Sequence, residues 1–255
     1  MAATTTTDII DTAPPARSPL PRVSVVVPTL NEAANLPHVF AELPDVHEVI
    51  LVDGFSTDGT IDVARRLRPD IRVVTTDVRG KGAALRAGFD AAQGDLVVML
   101  DADGSADPRE IDAFVAALKA GADFAKGSRF VDGGGSADIT PLRQLGNRAL
   151  NGIVNLLYGT GYSDLCYGYN AFWRHCLPHM NVDCSGFEVE TLINIRIARA
   201  GLAVAEVPSF KRERIHGASN LRTFRDGLRV LRTICRERFR RAPCGVQLDR
   251  ALDAA

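Results

Sequence analysis

Four β-branched runs separated by helical segments constrain this chain more than any other feature of its sequence. RVSVVVP (22–28), HEVILVD (47–53), IRVVTT (71–76) and DLVVMLD (95–101) are nearly continuous apolar stretches, not alternating ones. Strands that read this way are buried on both faces, as in parallel sheets whose crossover helices cover each side. Between them, NEAANLPHVFAEL predicts a helix with Asn31 as its N-cap, TIDVARRL a helix opened by Asp58, and GKGAALRAGFDAAQG a third. Asp107-Pro108 opens a fourth in the favoured way, a capping carboxylate followed by proline at the first helical position. Repeated βα units predict an α/β fold with a Rossmann-like, mostly parallel sheet flanked by helices. At 255 residues the chain suits one large domain.

The ligand crevice of such a sheet lies beyond the carboxyl ends of its strands. The polar residues of this sequence collect there. Pro28-Thr29-Leu30-Asn31-Glu32 follows the first run, Asp53 ends the second, and Asp101-Ala102-Asp103 ends the fourth. Two carboxylates one residue apart suit a hard cation such as Mg2+ or Mn2+, which takes few protein carboxylates and completes its shell with phosphate oxygens. A solvated Asp-Gly turn is the plain alternative for so short a motif. Lys81, between Gly80 and Gly82 at a helix start, either approaches a phosphate or simply follows a turn.

Beyond residue 130 the alternation stops. A Gly-rich loop (132–136) precedes a helix predicted over 141–158. The polar-aromatic segment SDLCYGYNAFWR then leads to a helix near 187–200, a strand LAVAEVP, and a basic terminal helix over 221–241. Residues 1–21, rich in Thr, Ala and Pro with no apolar period, read as a disordered tail and 242–255 as a flexible one, leaving 22–220 as the folded domain. The five cysteines lack C-x-x-C spacing and, with His175 and His179, fit no zinc pattern, so they read as thiols of a reducing cytoplasm. The longest uncharged stretch, 149–163, is too short to span a bilayer, and the first sixteen residues lack Lys, Arg and an apolar core. Neither a membrane anchor nor a secretory signal is expected.

The order of the motifs is more specific than any one of them. VSVVVPTLNEAANL, LVDGFSTDGT, RGKGAALRAGFDAAQGD, VVMLDADGSADP and GSRF, followed by PLRQLGNRALN, SDLCYGYNAFWR, GFEVETL and RERIHGASNL, resemble the family-2 glycosyltransferases over residues 22–222. Within that family the chain is most similar to the dolichyl- and polyprenyl-phosphate mannosyl- and glucosyltransferases. The resemblance implies a GT-A fold and a metal-dependent, inverting transfer of a hexose. The donor would be a nucleotide-diphosphate sugar of the GDP-mannose or UDP-glucose type, and the acceptor a polyprenyl-phosphate-like lipid phosphate. By the same resemblance Pro28, Leu30 and Glu32 match the first nucleotide-binding loop, Asp53 the base-binding aspartate, and Asp101 and Asp103 the metal-binding pair, with Lys81, Ala102 and Ser105 beside the donor. Arg129 of GSRF and Arg148 of LGNR match arginines facing donor or acceptor phosphates, and Arg214 and Ser219 of RIHGAS the diphosphate-facing pair of the closing loop. A guanidinium fork suits phosphate through paired hydrogen bonds, so the set is chemically sensible in itself. Two departures matter: Gly54 in Asp53-Gly54-Phe55-Ser56 stands where the family shows a second carboxylate, and Leu30 stands where an aromatic is common.

Asp103 and Arg214 are the residues expected to offset charge on a departing diphosphate. Glu188 and Glu190 lie two apart on a helix, so only one faces the crevice. Glu190 and Asp164 are the candidate general bases, each equally suited to a structural hydrogen bond. An acceptor phosphate is already anionic and needs little such help. Residues 211–241 carry eleven Lys/Arg against three acids, a local +8 on a chain of net −1. Phe224, Leu228, Leu231 and Cys235 recur at helical spacing, and Arg225, Arg229, Arg232 and Arg236 follow one residue on, about 100° round the helix. Such a helix either packs its apolar stripe on the domain, the ordinary arrangement, or lies peripherally on an anionic membrane. Without interleaved aromatics it does not read as a nucleic-acid surface. The rival functions are transfer to a soluble saccharide or natural product, and a non-catalytic nucleotide-sugar-binding protein. A nucleotidyltransferase would need a Gly-rich, Arg-bearing loop where PTLNE stands.

Overall fold

Val25 and Val27 point to one side of Val23–Thr29 (β1) and Val26 to the other, and all three are fully buried, so helices must cover both faces. The computed structural model, which describes residues 20–218 and 222–240, builds three layers around this strand. Leu36–Ala41 (α1), Glu48–Asp53 (β2), Thr60–Leu67 (α2), Arg72–Thr75 (β3), Lys81–Ala91 (α3) and Leu96–Met99 (β4) complete the first half. β2 and β4 flank β1, β3 lies outside β2, and all four strands run parallel. Leu36, Val39 and Ala64 cover Val25, Val27 and Leu51 on one face, while Leu85 and Phe89 cover Val26, Ile50 and Val52 on the other.

The first helix begins later than its sequence suggests. Asn31 does not cap it: the helix starts at Leu36, and Asn31 adopts φ +58°, which Asn tolerates. The Asn31 side chain accepts from Thr57 N at 2.8 Å and its own N–H donates to Ser56 Oγ at 2.8 Å, tying the loop after β1 to the loop after β2.

In the second half, Asp107 accepts from Arg109 N as expected, ahead of Ile111–Lys119 (α4). Then come Phe124–Ser128 (β5), Gly135–Ser136 (β6), Pro141–Tyr158 (α5), Asn170–Trp173 (β7), Leu177–Met180 (α6), Val189–Arg199 (α7), Val204–Pro208 (β8), Phe210–Lys211 (β9) and Thr223–Phe239 (α8). The seven-stranded sheet has the order β3-β2-β1-β4-β7-β5-β8, and β6 pairs with β9 apart from it. β7 is antiparallel to both neighbours, β4 and β5. Neither β5 nor β7 is predicted by the sequence pattern. Both are short and wholly or mostly buried, so they carry no period to recognise.

The terminal helix packs by a different face from the one its apolar stripe suggests. α8 buries Asp226, Val230, Thr233, Ile234 and Glu237, while Phe224, Leu228, Leu231 and Cys235 face outward. An ionic clamp decides this. Arg196 on α7 donates from Nε and Nη2 to the Glu237 carboxylate at 3.0 and 2.8 Å, and Asp183 accepts from the same guanidinium at 2.9 Å. Among the described residues no helix is long and apolar enough to cross a membrane. Ser219 and the sequence tails before residue 20 and after 240 lie outside the described residues.

Glu237→Ala leaves buried Arg196 with one of its two carboxylate partners, which should cost about 3–5 kcal/mol. Urea unfolding checks this, with exposed Glu213→Ala as a control expected to change stability by less than about 0.5 kcal/mol.

Candidate active site

The carboxyl ends of β1, β2 and β4 open onto a cavity of about 400 Å3, closed on its far side by α5 and α8. Pro28 enters from the end of β1, Leu30 and Glu32 from the loop after it, Gly54 from the loop after β2, Gly80 and Lys81 from the start of α3, and Asp101, Ala102 and Asp103 from the end of β4. Leu142, Arg143, Gly146, Asn147 and Leu150 line it from α5, and Asp226, Gly227 and Val230 from α8.

Two ionic arrangements organise the strand side. Lys81 Nζ lies 2.7 Å from Asp101 Oδ1 and 2.7 Å from Glu190 Oε1 on α7. Burial would lower the Lys81 ammonium, but the two carboxylates carry it well above the ordinary lysine value. Burial pushes the Glu190 carboxyl up, with Lys81 pulling the other way. The second arrangement centres on Arg214, whose guanidinium reaches Asp103 at 3.3 Å, bonds Glu32, and donates from Nε to the His216 carbonyl at 2.7 Å. The loop carrying it is docked by Arg212 N to Ser105 O at 2.7 Å and Ile215 N to Asp103 O at 3.3 Å.

On the helix side Arg129 forms a side-on pair with Asp164 at 2.7 and 2.9 Å, its guanidinium 5.0 Å over the Tyr167 ring. Asn147 Nδ2 donates to the same carboxylate at 3.0 Å. Lys211 reaches Asp138 at 2.8 Å, and both line the cavity.

Several expected residues meet here: Pro28, Leu30, Glu32, Lys81, Asp101, Ala102, Asp103, Arg129, Glu190 and Arg214. Others do not. Asp164 is fully buried and its oxygens are taken by Arg129 and Asn147, so it holds an arginine and is not placed as a base. Arg148 is exposed and lies outside the cavity lining. Arg143, five residues earlier and about 140° round the helix, lines it instead. Asp53 is 4% exposed and spends its Oδ2 on the backbone N–H groups of Phe55 and Ser56 at 3.1 and 3.0 Å. Ser105 is buried behind the turn, its N–H donating to Asp103 Oδ1 at 3.0 Å. Sequence reasoning misses Arg143, Asn147, Asp138 and Lys211. It also misses Gly168, where a Cβ would sit 2.7 Å from Lys81 Nζ.

The family model for glycosyl transferase family 2 matches residues 24–179, the segment that carries β1 to β4 and the paired aspartates. The chain belongs to glycosyl transferase family 2. It is 36% identical over 218 residues to polyprenol monophosphomannose synthase of Mycolicibacterium smegmatis, covering 80% of this chain and 82% of that one. It is 33% identical over 209 residues to glycosyltransferase AglJ of Haloferax volcanii, covering 80% of this chain and 68% of that protein. Among solved structures it is similar to glucosyl-3-phosphoglycerate synthase of Mycobacterium tuberculosis in complex with Mn2+, UDP and glucosyl-3-phosphoglycerate, with TM-score 0.67, 26% identity and coverage of 85% and 80%. This family-2 enzyme is a hexosyltransferase with the GT-A fold. That sets aside the reading as a non-catalytic binding protein.

Burial works against ionisation of Asp164, but the hydrogen bonds and charge of Arg129 outweigh it and hold the carboxyl below its ordinary range. A folded value below the unfolded one gives stability that is full above the ordinary aspartate pKa of about 3.9 and is lost as pH falls through the folded value. Asp164→Asn should therefore lose stability at neutral pH and show a shallower decline between about pH 5 and pH 3. Thermal unfolding across that range tests it; parallel curves for the two proteins would refute it.

Proposed function

We propose that this hexosyltransferase moves its sugar, with inversion, from a nucleoside-diphosphate donor to a polyprenyl-phosphate-like acceptor at a membrane surface, assisted by Mg2+ or Mn2+. The carrying observation is the two-sided cavity. Its strand side is ionic, whereas its helix side sets Ile139, Leu142, Leu150 and Val230 beside Arg129 and Arg143. An apolar wall with guanidinium groups suits a phosphate attached to a hydrocarbon chain better than a free saccharide.

Asp101 and Asp103 fit a hard divalent ion. Both line the cavity, and Asp101 keeps 36% of its side chain exposed. Among the described residues no group of three or more His, Cys, Asp or Glu is placed to hold a metal, so the chain offers these two carboxylates and leaves further positions to diphosphate oxygens and water. Bound there, the ion would supply Lewis-acid neutralisation of the leaving diphosphate. The structural relative complexed with Mn2+ and UDP supports the same assignment.

Lys81, kept protonated between Asp101 and Glu190, adds fixed positive charge beside the diphosphate position. Arg214 exchanges Asp103 and Glu32 for phosphate oxygens, a bidentate partner of the same shape. Arg129, oriented by Asp164, and Arg143 hold the acceptor phosphate. The dianionic oxygen needs no base, which leaves Glu190 to position Lys81. A small phosphorylated acceptor is the second reading, supported by the phosphoglycerate product in the relative's complex.

The outward faces of the two wall helices favour the lipid. Leu145 and Leu156 on α5 and Phe224 and Leu228 on α8 are exposed, Leu156 by 85% and Phe224 by 82%. Arg225 and Arg232 stand exposed beside the α8 stripe. Exposed leucines flanked by arginine suit an anionic lipid interface.

Asp103→Asn should lower donor turnover by about 100-fold or more while leaving thermal unfolding unchanged. Activity near wild type would remove the metal-assisted mechanism. Sedimentation with phosphatidylserine vesicles should capture the protein at about 0.1 M salt and release much of it at about 1 M, where the Debye length falls from about 10 to about 3 Å. Retention in the supernatant at both, with sugar transferred to phosphoglycerate and not to polyprenyl phosphate, would favour the soluble acceptor.

A further inference from the structure

Phe55 has the least comfortable backbone in the cavity's surroundings. Its φ is +76°, a conformation that a bulky L-residue seldom adopts and that persists only where the surroundings over-determine it. They do so here. Gly54 N donates to Thr29 O at 2.8 Å, Asp53 Oδ2 accepts from Phe55 N and Ser56 N, and Ser56 Oγ accepts from Asn31 N. The result is a ring carried outward, 40% exposed, joining neither core layer.

That ring is not bare. The Arg79 guanidinium carbon lies 5.0 Å from its centroid. Phe55 follows Gly54 and Arg79 precedes Gly80, and both glycines line the cavity, so the stack bridges two loops at its rim. Leu30, likewise 40% exposed, stands on the same rim from the loop after β1. No carboxylate among the described residues pairs with Arg79, so its N–H groups remain available. Asp53 is consumed in holding the turn, and Gly54 offers no side chain.

We propose that the Arg79–Phe55 stack is the element that selects the donor's nucleobase, favouring a carbonyl at the position where cytosine and adenine carry their amino group, that is O4 of uracil or O6 of guanine. The proposal rests on the nucleoside-diphosphate donor argued above. A planar guanidinium carries donors only, so it matches uracil O4 or guanine O6 and repels the amino group that stands at the same position on cytosine or adenine. The Phe55 ring fixes the plane of that guanidinium, and so the direction in which its N–H groups meet the edge of a base. The strained turn serves to place the ring there.

Isothermal titration of the full chain with UDP, GDP, ADP and CDP, each with Mn2+, tests this. The wild type should bind UDP or GDP at least about tenfold more tightly than ADP and CDP. Arg79→Gln should bring that ratio close to one. Phe55→Gly relieves the positive φ, so thermal stability should hold or rise while affinity for the preferred nucleotide falls about tenfold. Pyrophosphate with Mn2+ should bind all three proteins alike. If the wild type binds no nucleoside diphosphate, the donor reading itself fails. If it binds one with base preference and both variants keep that preference, the donor reading stands and the stack proposal is overturned.

Discussion

One buried ammonium joins the two halves of the molecule at its reactive end. Lys81 belongs to α3, Asp101 to the end of β4 and Glu190 to α7, and the three meet within hydrogen-bonding distance. Glu190 is nearly inaccessible, so removing Lys81 would leave its carboxylate out of water without compensation. Much nearby packing exists to permit this contact. At Gly80 and Gly82 a Cβ would lie 2.0 and 2.5 Å from the carbonyl oxygens of Ser185 and Cys184, and at Gly168 it would strike the Lys81 ammonium. The glycine–lysine–glycine run therefore allows the 184–186 segment to cross the start of α3.

The same arithmetic of charge governs ligand entry. The cavity wall carries Lys81, Arg129, Arg143, Lys211 and Arg214 against Glu32, Asp101, Asp103, Asp138, Glu190 and Asp226, close to balance. A polyphosphate entering such a site must break existing pairs or arrive with a cation. Arg214 is the pair most readily exchanged, because it rides on a loop held to the strand end by two backbone hydrogen bonds and by Ile215 seated against Gly104. Gly104 has φ +73° and no room for a Cβ, which would lie 2.5 Å from Ile215 Cδ1, so the aspartate turn and the arginine loop are shaped to each other. Burial raises the Glu32 carboxyl above its ordinary range, with the hydrogen bonds of Asn35 and Arg214 pulling the other way.

The first half of this arrangement is legible in the sequence because parallel strands announce themselves. Continuous β-branched runs ending in acids are enough to put Glu32, Asp101 and Asp103 at one crevice. In the second half the helices and the strand at 204–208 are legible, but two buried strands and the aim of several side chains are not, for identifiable reasons. The Asn170–Trp173 strand is four residues long, buried, and reversed in direction, so neither period nor βα rhythm betrays it. Motif position favours Arg148 over Arg143 because it ignores helix phase, and five residues is more than a third of a revolution off. Asp164 reads as a base because a sequence cannot show that its oxygens are already taken by Arg129 and Asn147. The α8 stripe is plain in the sequence, but its direction depends on Glu237 finding Arg196, forty-one positions away in the chain.

The outward turn of that stripe carries a physical lesson about the cavity. A helix with an apolar stripe ordinarily buries it, and α8 instead buries Asp226, Thr233 and Glu237 along with Val230 and Ile234, while leaving Phe224 and Leu228 in water. α5 does the same on the other wall: Asn147 and Asn151 are buried, their amides satisfying Asp164 and the Ser163 carbonyl, while Leu145 and Leu156 stand outside. Both helices thus turn polar groups inward beside the buried Val154, Val230 and Ile234, and leave part of their apolar surface outside. Exposed leucines and phenylalanines therefore lie on the two elements that wall the cavity. The inversion makes sense if the outer medium of these helices is itself apolar. The requirement that Arg129 be held rigidly from within and the requirement that a hydrocarbon-bearing phosphate reach it from without are then met by opposite faces of the same helices.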